Sequence, residues 1–233
     1  MARTSTLLQL RTRIRQRADL VNNNFCTDIE INDYINTDTT ELYDLLVAAY
    51  EDYFVNTSTL TTDGTNYSYA LATAPTPVMT NFYKLMGIDR LLSSGATIPL
   101  RKWNWRERSK RAISSEYPRY RLQGDNIEFK IVPTGGLTLQ IYWIPTCPLL
   151  VADIDTFDGV NGWEEIVVLN GAIKCLNKKE QDPTALINER NDMRNRIIKM
   201  AEDRDSGEND RMIDIQFRRR YPDSSLPPDE WEW

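Results

Sequence analysis

The sequence predicts an α+β protein: a helical bundle formed by N- and C-terminal helices, an inserted β-rich domain of sandwich or barrel type, and an extended C-terminal arm. Three observations predict it. Apolar residues recur at helical spacing near both ends of the chain. The middle alternates short β-prone runs with turn signals. The last stretch, FRRRYPDSSLPPDEWEW, mixes prolines, charges and aromatics in a segment that cannot fold alone. The expected divisions are residues 1–54 (first half of the helical body), 55–150 (β-rich insertion), 151–206 (second half of the body) and 207–233 (arm).

The first helix is expected from Thr4 to Leu20, with Leu7, Leu10, Ile14 and Ala18 as its stripe. Arg11, Arg13, Arg15 and Arg17 flank that stripe. They read either as arginines snorkelling around a core-facing seam or as a clamp between subunits. Thr27 and Glu30 have capping-box spacing, so a second helix starts there and runs to about Phe54. Its stripe is Ile31, Ile35, Leu42, Leu45, Ala49 and Tyr53.

From Val55 the pattern becomes β-like. YRLQGDNIEFKIVP reads as a hairpin with Gly124, Asp125 and Asn126 in the turn, and LTLQIYWIP as a further strand. KWNWRERSKRAISSEYP interrupts the strands and reads as a short helix. Asn161 and Glu164 repeat the capping-box spacing ahead of Ile166, Leu169, Ile173 and Leu176. Asp182-Pro183 is a helix start, followed by the stripe Leu186, Met193, Ile197 and Met200, with Gly207 as the stop.

Bulk composition narrows the function. The chain has 233 residues, 41% hydrophobic and 27% charged, with net charge −6. An acidic balance argues against a general nucleic-acid binder, whose footprint is usually basic. No apolar run is long enough to span a bilayer, and Arg11 and Arg13 break any signal-like stretch, so a protein made and used in a cytosol is expected. Three scattered cysteines read as reduced thiols. There is no histidine, which removes Ser-His, Cys-His and His-metal chemistry. An enzyme is not expected: no catalytic residue, metal ligand or cofactor is assigned.

Two stretches still resemble sites. ADIDTFDG offers Asp153, Asp155 and Asp158 as oxygen ligands, with a metal-dependent hydrolase as the corresponding function. Phe157 occupies a ligand position of the calcium loop and Gly159 comes one place late, so an acidic connection is the better reading. Trp103, Trp105, Arg106, Arg108 and Arg111 form a basic-aromatic patch. It suits bases and phosphates, or a protein partner, since Trp and Arg anchor protein interfaces. The acidic whole favours the protein; a nucleic-acid-binding module is the alternative.

TDIEINDYINTDTTELYDLLVAAYEDYF resembles the second helix of head-to-tail adaptor proteins of tailed bacteriophages, the connector and tail tubular protein A-like family. YRLQGDNIEFKIVP followed by LTLQIYWIP is similar to that family's hairpin and proline-stopped strand. NGWEEIVVLNGAIKCLNKKEQDPTALINERNDMRNRIIKMAEDRDSG is similar to its final helical pair. The resemblance implies a structural virion protein at the head-tail interface. It implies a dodecameric ring of this chain under the portal protein, a docking platform for a tail or nozzle protein, and passage of DNA through the channel without specific binding. It also implies that Phe217, Tyr221, Trp231 and Trp233 are arm anchors for pockets on another chain, with Arg218, Arg219 and Arg220 pairing with acids there.

Overall fold

The computed structural model describes residues 4–21, 25–72, 79, 81–109 and 114–203. It is a mixed α+β structure. The order is β1 (Thr4–Thr6), α1 (Leu7–Arg17), α2 (Asp28–Ala49), β2 (Asn56–Thr61), β3 (Ser68–Ala70), β4 (Phe82–Leu91), β5 (Thr97–Pro99), β6 (Tyr120–Gln123), β7 (Asn126–Phe129), β8 (Thr138–Pro145), β9 (Thr156–Asp158), α3 (Glu165–Lys178) and α4 (Thr184–Glu202). Short 3₁₀ turns lie at Glu51–Phe54 and Trp105–Glu107.

Thr4–Thr6 is a strand, not the first turn of a helix. Thr4, Ser5 and Thr6 pair antiparallel with Asp158, Phe157 and Thr156. β-branched threonines favour this extended start. Thr6 then caps α1: its side chain accepts from the Gln9 backbone N–H, and Gln9 Oε1 accepts from the Thr6 N–H. The Thr27–Glu30 box at the head of α2 forms as its spacing predicts. That helix ends at Ala49, short of Phe54, and the chain tightens into a 3₁₀ turn.

Four helices share one apolar core. Leu7, Leu10 and Ile14 meet Ile31, Ile35, Leu42 and Leu46, together with Val167, Val168 and Ala172. Each fully buried aliphatic side chain contributes roughly 1.5–3 kcal/mol. Gly171 lets α1 approach α3: a Cβ there would lie 2.5 Å from Ile14 Cδ1. α4 lies outermost and buries only Ile197 and Ala201 completely. Met200, expected in its stripe, is exposed, and Ala201 faces the core instead. The helix starts beside Asp182-Pro183 but one residue later than an N-cap aspartate would place it. Pro183 is the N-cap, with no side-chain cap bond, and Asp182 Oδ1 accepts from the Thr184 backbone N–H at 3.0 Å just ahead of it.

The arginines of α1 are all paired within the chain. Arg11 bonds Asp153 and Arg15 bonds Asp28; Arg17 reaches Glu165 and Glu189, and Arg13 reaches Glu164 and Glu165. The snorkelling account describes them better than a clamp between subunits.

The strands form antiparallel sheets. One has the order β2-β8-β4-β5 and another the order β3-β7-β6. Leu60, Ile88, Leu139, Ile141 and Trp143 pack with Tyr69, Tyr120, Ile127 and Phe129 in a second core. β8 joins the two cores. Its Leu139, Ile141 and Trp143 enter the β core, while Ile144 packs on Tyr43 and Val47 of α2. Tyr43 Oη also donates to the Pro145 carbonyl at 2.6 Å.

The predicted hairpin is β6–β7, with a shorter turn than expected. Gln123 pairs with Asn126, leaving Gly124 and Asp125 as a two-residue turn, and Gly124 has φ +55°. Asn126 is therefore a strand residue. Two-residue turns need left-handed backbone, which glycine adopts readily.

Candidate partner-binding site

The basic-aromatic patch lies where the 101–109 segment crosses the β6–β7 hairpin. The Trp103 N–H donates to the Tyr120 carbonyl at 3.0 Å, and the Tyr120 N–H to the Arg101 carbonyl at 3.1 Å. These bonds fix the segment along the start of β6. Asn104 then opens a 3₁₀ turn: its Oδ1 accepts from the Arg106 N–H and its carbonyl from the Glu107 N–H. Lys130 Nζ donates to the Glu107 carbonyl at 2.6 Å and ties the turn back to the hairpin. The sequence predicts a short helix here; the described part is this single turn.

The two tryptophans have different roles. Trp103 is buried, whereas Trp105 is 56% exposed. Their rings are 6.3 Å apart and inclined by 28°. The Arg121 guanidinium lies 4.4 Å from both ring centroids. Arg108 adds a second cation 5.5 Å from the Trp105 ring. Arg121 is itself held by Glu128, directly opposite on β7, through Nε at 2.9 Å and Nη2 at 2.5 Å. A guanidinium fork that is both ion-paired and stacked has little freedom left, so the ring it covers is held rigidly.

Of the predicted patch, Trp103, Trp105, Arg106 and Arg108 are thus brought together, with Trp105, Arg106 and Arg108 exposed. Arg111 lies outside the described residues, as do Phe217, Arg218, Arg219, Arg220, Tyr221, Trp231 and Trp233 of the expected arm. Arg121 and Glu128 were missed. Their signal was the hairpin register: once Gly124-Asp125 is a two-residue turn, Arg121 must face Glu128.

The aspartates of ADIDTFDG serve the backbone and neighbouring side chains. Asp155 Oδ2 accepts from the Val151 and Ala152 N–H groups, which hold its carboxyl below its ordinary range. Asp153 pairs with Arg11. Asp158 accepts from Tyr53 Oη and from the Val160 N–H. Among the described residues no three His, Cys, Asp or Glu side chains gather around a common point. No helix among those residues is long and apolar enough to cross a membrane.

Glu164 was expected to cap α3 through the Asn161 spacing. It is instead completely buried, accepts from Ser5 Oγ at 2.9 Å and stands at the N-cap position itself without a side-chain cap bond, so α3 begins at Glu165 rather than just after Asn161. The carboxylate serves β1 and α1, because Arg13 also lies 3.7 Å away.

The family model for SU10 adaptor proteins matches residues 5–213 of the 233. The chain belongs to the SU10 adaptor protein family. Among curated proteins, none matches the sequence. The matched span begins inside β1 and runs past α4, so it covers the helical core, both larger sheets and the Trp105 patch. The SU10 adaptor family is one of structural phage adaptors, and such adaptors are virion components that meet portal and tail proteins. Within this family member, Trp105 is an exposed aromatic covered on one side by Arg121 and surrounded by exposed basic side chains.

Proposed function

We propose that this adaptor forms a ring beneath the portal, lengthens the DNA channel and presents a platform on which the tail or nozzle docks. The observation that carries this reading is the SU10 adaptor family match across the helical core and the sheets. In this reading residues 1–54 and 151–206 make one helical body, and residues 55–150 project from it as an insertion. The packing of α1 and α2 against α3 and α4 supports such a body, as does the β1–β9 pairing that ties its two halves. Residues 207–233 act as an arm, with Phe217, Tyr221, Trp231 and Trp233 as anchors and Arg218, Arg219 and Arg220 as charge partners. Prolines in the arm favour extended backbone, which lowers the entropy lost on docking. The role is structural, and the chain alters no covalent bond.

Electron microscopy of the purified full-length chain, alone and mixed with portal protein, tests the reading. Closed rings that seat on the portal are expected. A strictly monomeric chain that never joins a portal overturns it. Truncation after Gly207 is expected to weaken assembly while circular dichroism shows the helices intact; undiminished assembly would remove the arm from the model.

A further inference from the structure

We propose that the acidic, tryptophan-bearing segment Asp229–Trp233 docks on the Trp105 surface of this same kind of chain. The inference deepens the reading of residues 207–233 as an arm and rests on it, because it names a receptor for the arm's tip.

The receptor is prepared in advance. Trp105 presents an exposed ring whose position is fixed from behind by Trp103 and Arg121. An anchor already ordered loses little entropy when a partner covers it. Several nearby charges are engaged internally: Arg121 with Glu128, Arg119 with Glu107, and Lys130 with the Glu107 carbonyl. Arg101, Lys102, Arg106 and Arg108 remain exposed around the ring. They form a positive rim about an aromatic centre on a chain whose net charge is −6.

The segment DEWEW is the complement. Asp229, Glu230 and Glu232 carry negative charge, and Trp231 and Trp233 alternate with acids. In extended backbone, alternation places two tryptophans on one edge and Glu230 and Glu232 on the other. Pro227 and Pro228 just before it favour that backbone. One edge can then stack on Trp105 and take cation–π contact from Arg108, while the acids meet the arginine rim. Reach is sufficient. The 26 residues from Asp203 to Asp229 extend at most roughly 90 Å. A body of about 200 residues is roughly 40 Å across. DNA suits the patch less well, because the chain's overall negative charge opposes a polyanion at long range.

Site-directed cross-linking in the full-length chain tests the proposal. The native thiols interfere little: Cys26 and Cys175 are buried, and burial pushes Cys175 up to about 12 and Cys147 up to about 11. In an S109C/E232C pair, whose first site is exposed beside the arginine rim, a disulfide is expected to form at least tenfold faster than in the control pair N188C/E232C, whose first site is on exposed α4. Adding W231A and W233A, or W105A, is expected to slow it at least fivefold. Equal rates for the two pairs overturn the docking, as does insensitivity to the tryptophans. A fluorescent duplex that blocks the cross-link, and whose own binding is lost in W105A, also overturns it by making the patch a DNA site. A cross-link confined to single chains of a monomer supports the docking while contradicting the ring, so the two readings fail separately.

Discussion

Lys174 Nζ lies 2.6 Å from Asp38 Oδ1 and joins α3 to α2. Asp38 is 1% exposed, and its burial outweighs the lysine, pushing the carboxyl up to about 6. Glu41 raises it further, and Arg190 lowers it. An acid whose folded pKa is raised favours the native state below its unfolded pKa, near 3.8, and loses that contribution as pH rises through about 6. Two pH units correspond to at most ~3 kcal/mol. Urea unfolding of D38N and wild type at pH 4 and pH 7 is expected to show the variant gaining ~1–3 kcal/mol relative to wild type at the higher pH. A difference independent of pH would contradict the raised pKa.

Ile14 and Gly171 show a different constraint, that of shape. Alanine at 171 gains up to about 1 kcal/mol of helix propensity but overpacks against a fully buried isoleucine, which costs about 1–3 kcal/mol. G171A is therefore expected to lower stability. I14V removes the Cδ1 that lies 2.5 Å from the added methyl. The double variant should be more stable than the sum of the single changes by about 1 kcal/mol, measured as a double-mutant cycle. Additive effects would mean the helices part freely.

Ser5 and Glu164 hold the opening strand to the head of α3. The bond spans 159 residues of sequence and is buried. Removing one partner of a buried hydrogen bond costs roughly 1–3 kcal/mol. S5A is expected to lower the unfolding free energy by about that amount while leaving the β core intact. Gly159 guards the same corner, because a Cβ there would sit 2.6 Å from the Glu164 backbone nitrogen. G159A should also destabilise, although its φ is ordinary. Chemical denaturation of both variants checks this; wild-type midpoints would show that the corner carries no stability.

How far the sequence reveals this structure depends on the range of the interactions. Local signals were readable: the Thr27–Glu30 capping box and the β6–β7 hairpin form, and a helix starts beside Asp182-Pro183. Signals that depend on a distant partner were not. Glu164 has capping spacing, but its place in the fold is set by Ser5 and Arg13, far away in sequence. Thr4–Thr6 reads as the start of the first helix, yet Thr156–Asp158 draws it into a strand. The Thr6-x-x-Gln9 box was a local signal that could have placed that boundary. At the candidate site, composition showed the tryptophans and arginines. The hairpin register sets Arg121 opposite Glu128, but only the tertiary fold brings that pair to Trp105 and leaves Arg106 and Arg108 exposed.

That register makes Arg121 the residue on which Trp105's rigidity depends. Its fork meets Glu128 and its plane covers two rings. R121K keeps the charge but loses both the planar fork and the stacking. Cation–π contact of this kind contributes about 0.5–2 kcal/mol, and the cross-strand ion pair about 0.2–1 kcal/mol. The substitution is therefore expected to loosen the 101–109 segment without unfolding the β core. Hydrogen exchange followed by mass spectrometry reads this directly. Peptides covering residues 101–109 should exchange about threefold to tenfold faster in R121K, while β8 peptides keep wild-type rates, since about 1.4 kcal/mol of local opening energy is a tenfold change. Unchanged exchange at 101–109 would show that Trp105 is held by its 3₁₀ turn alone and that Arg121 does not position it.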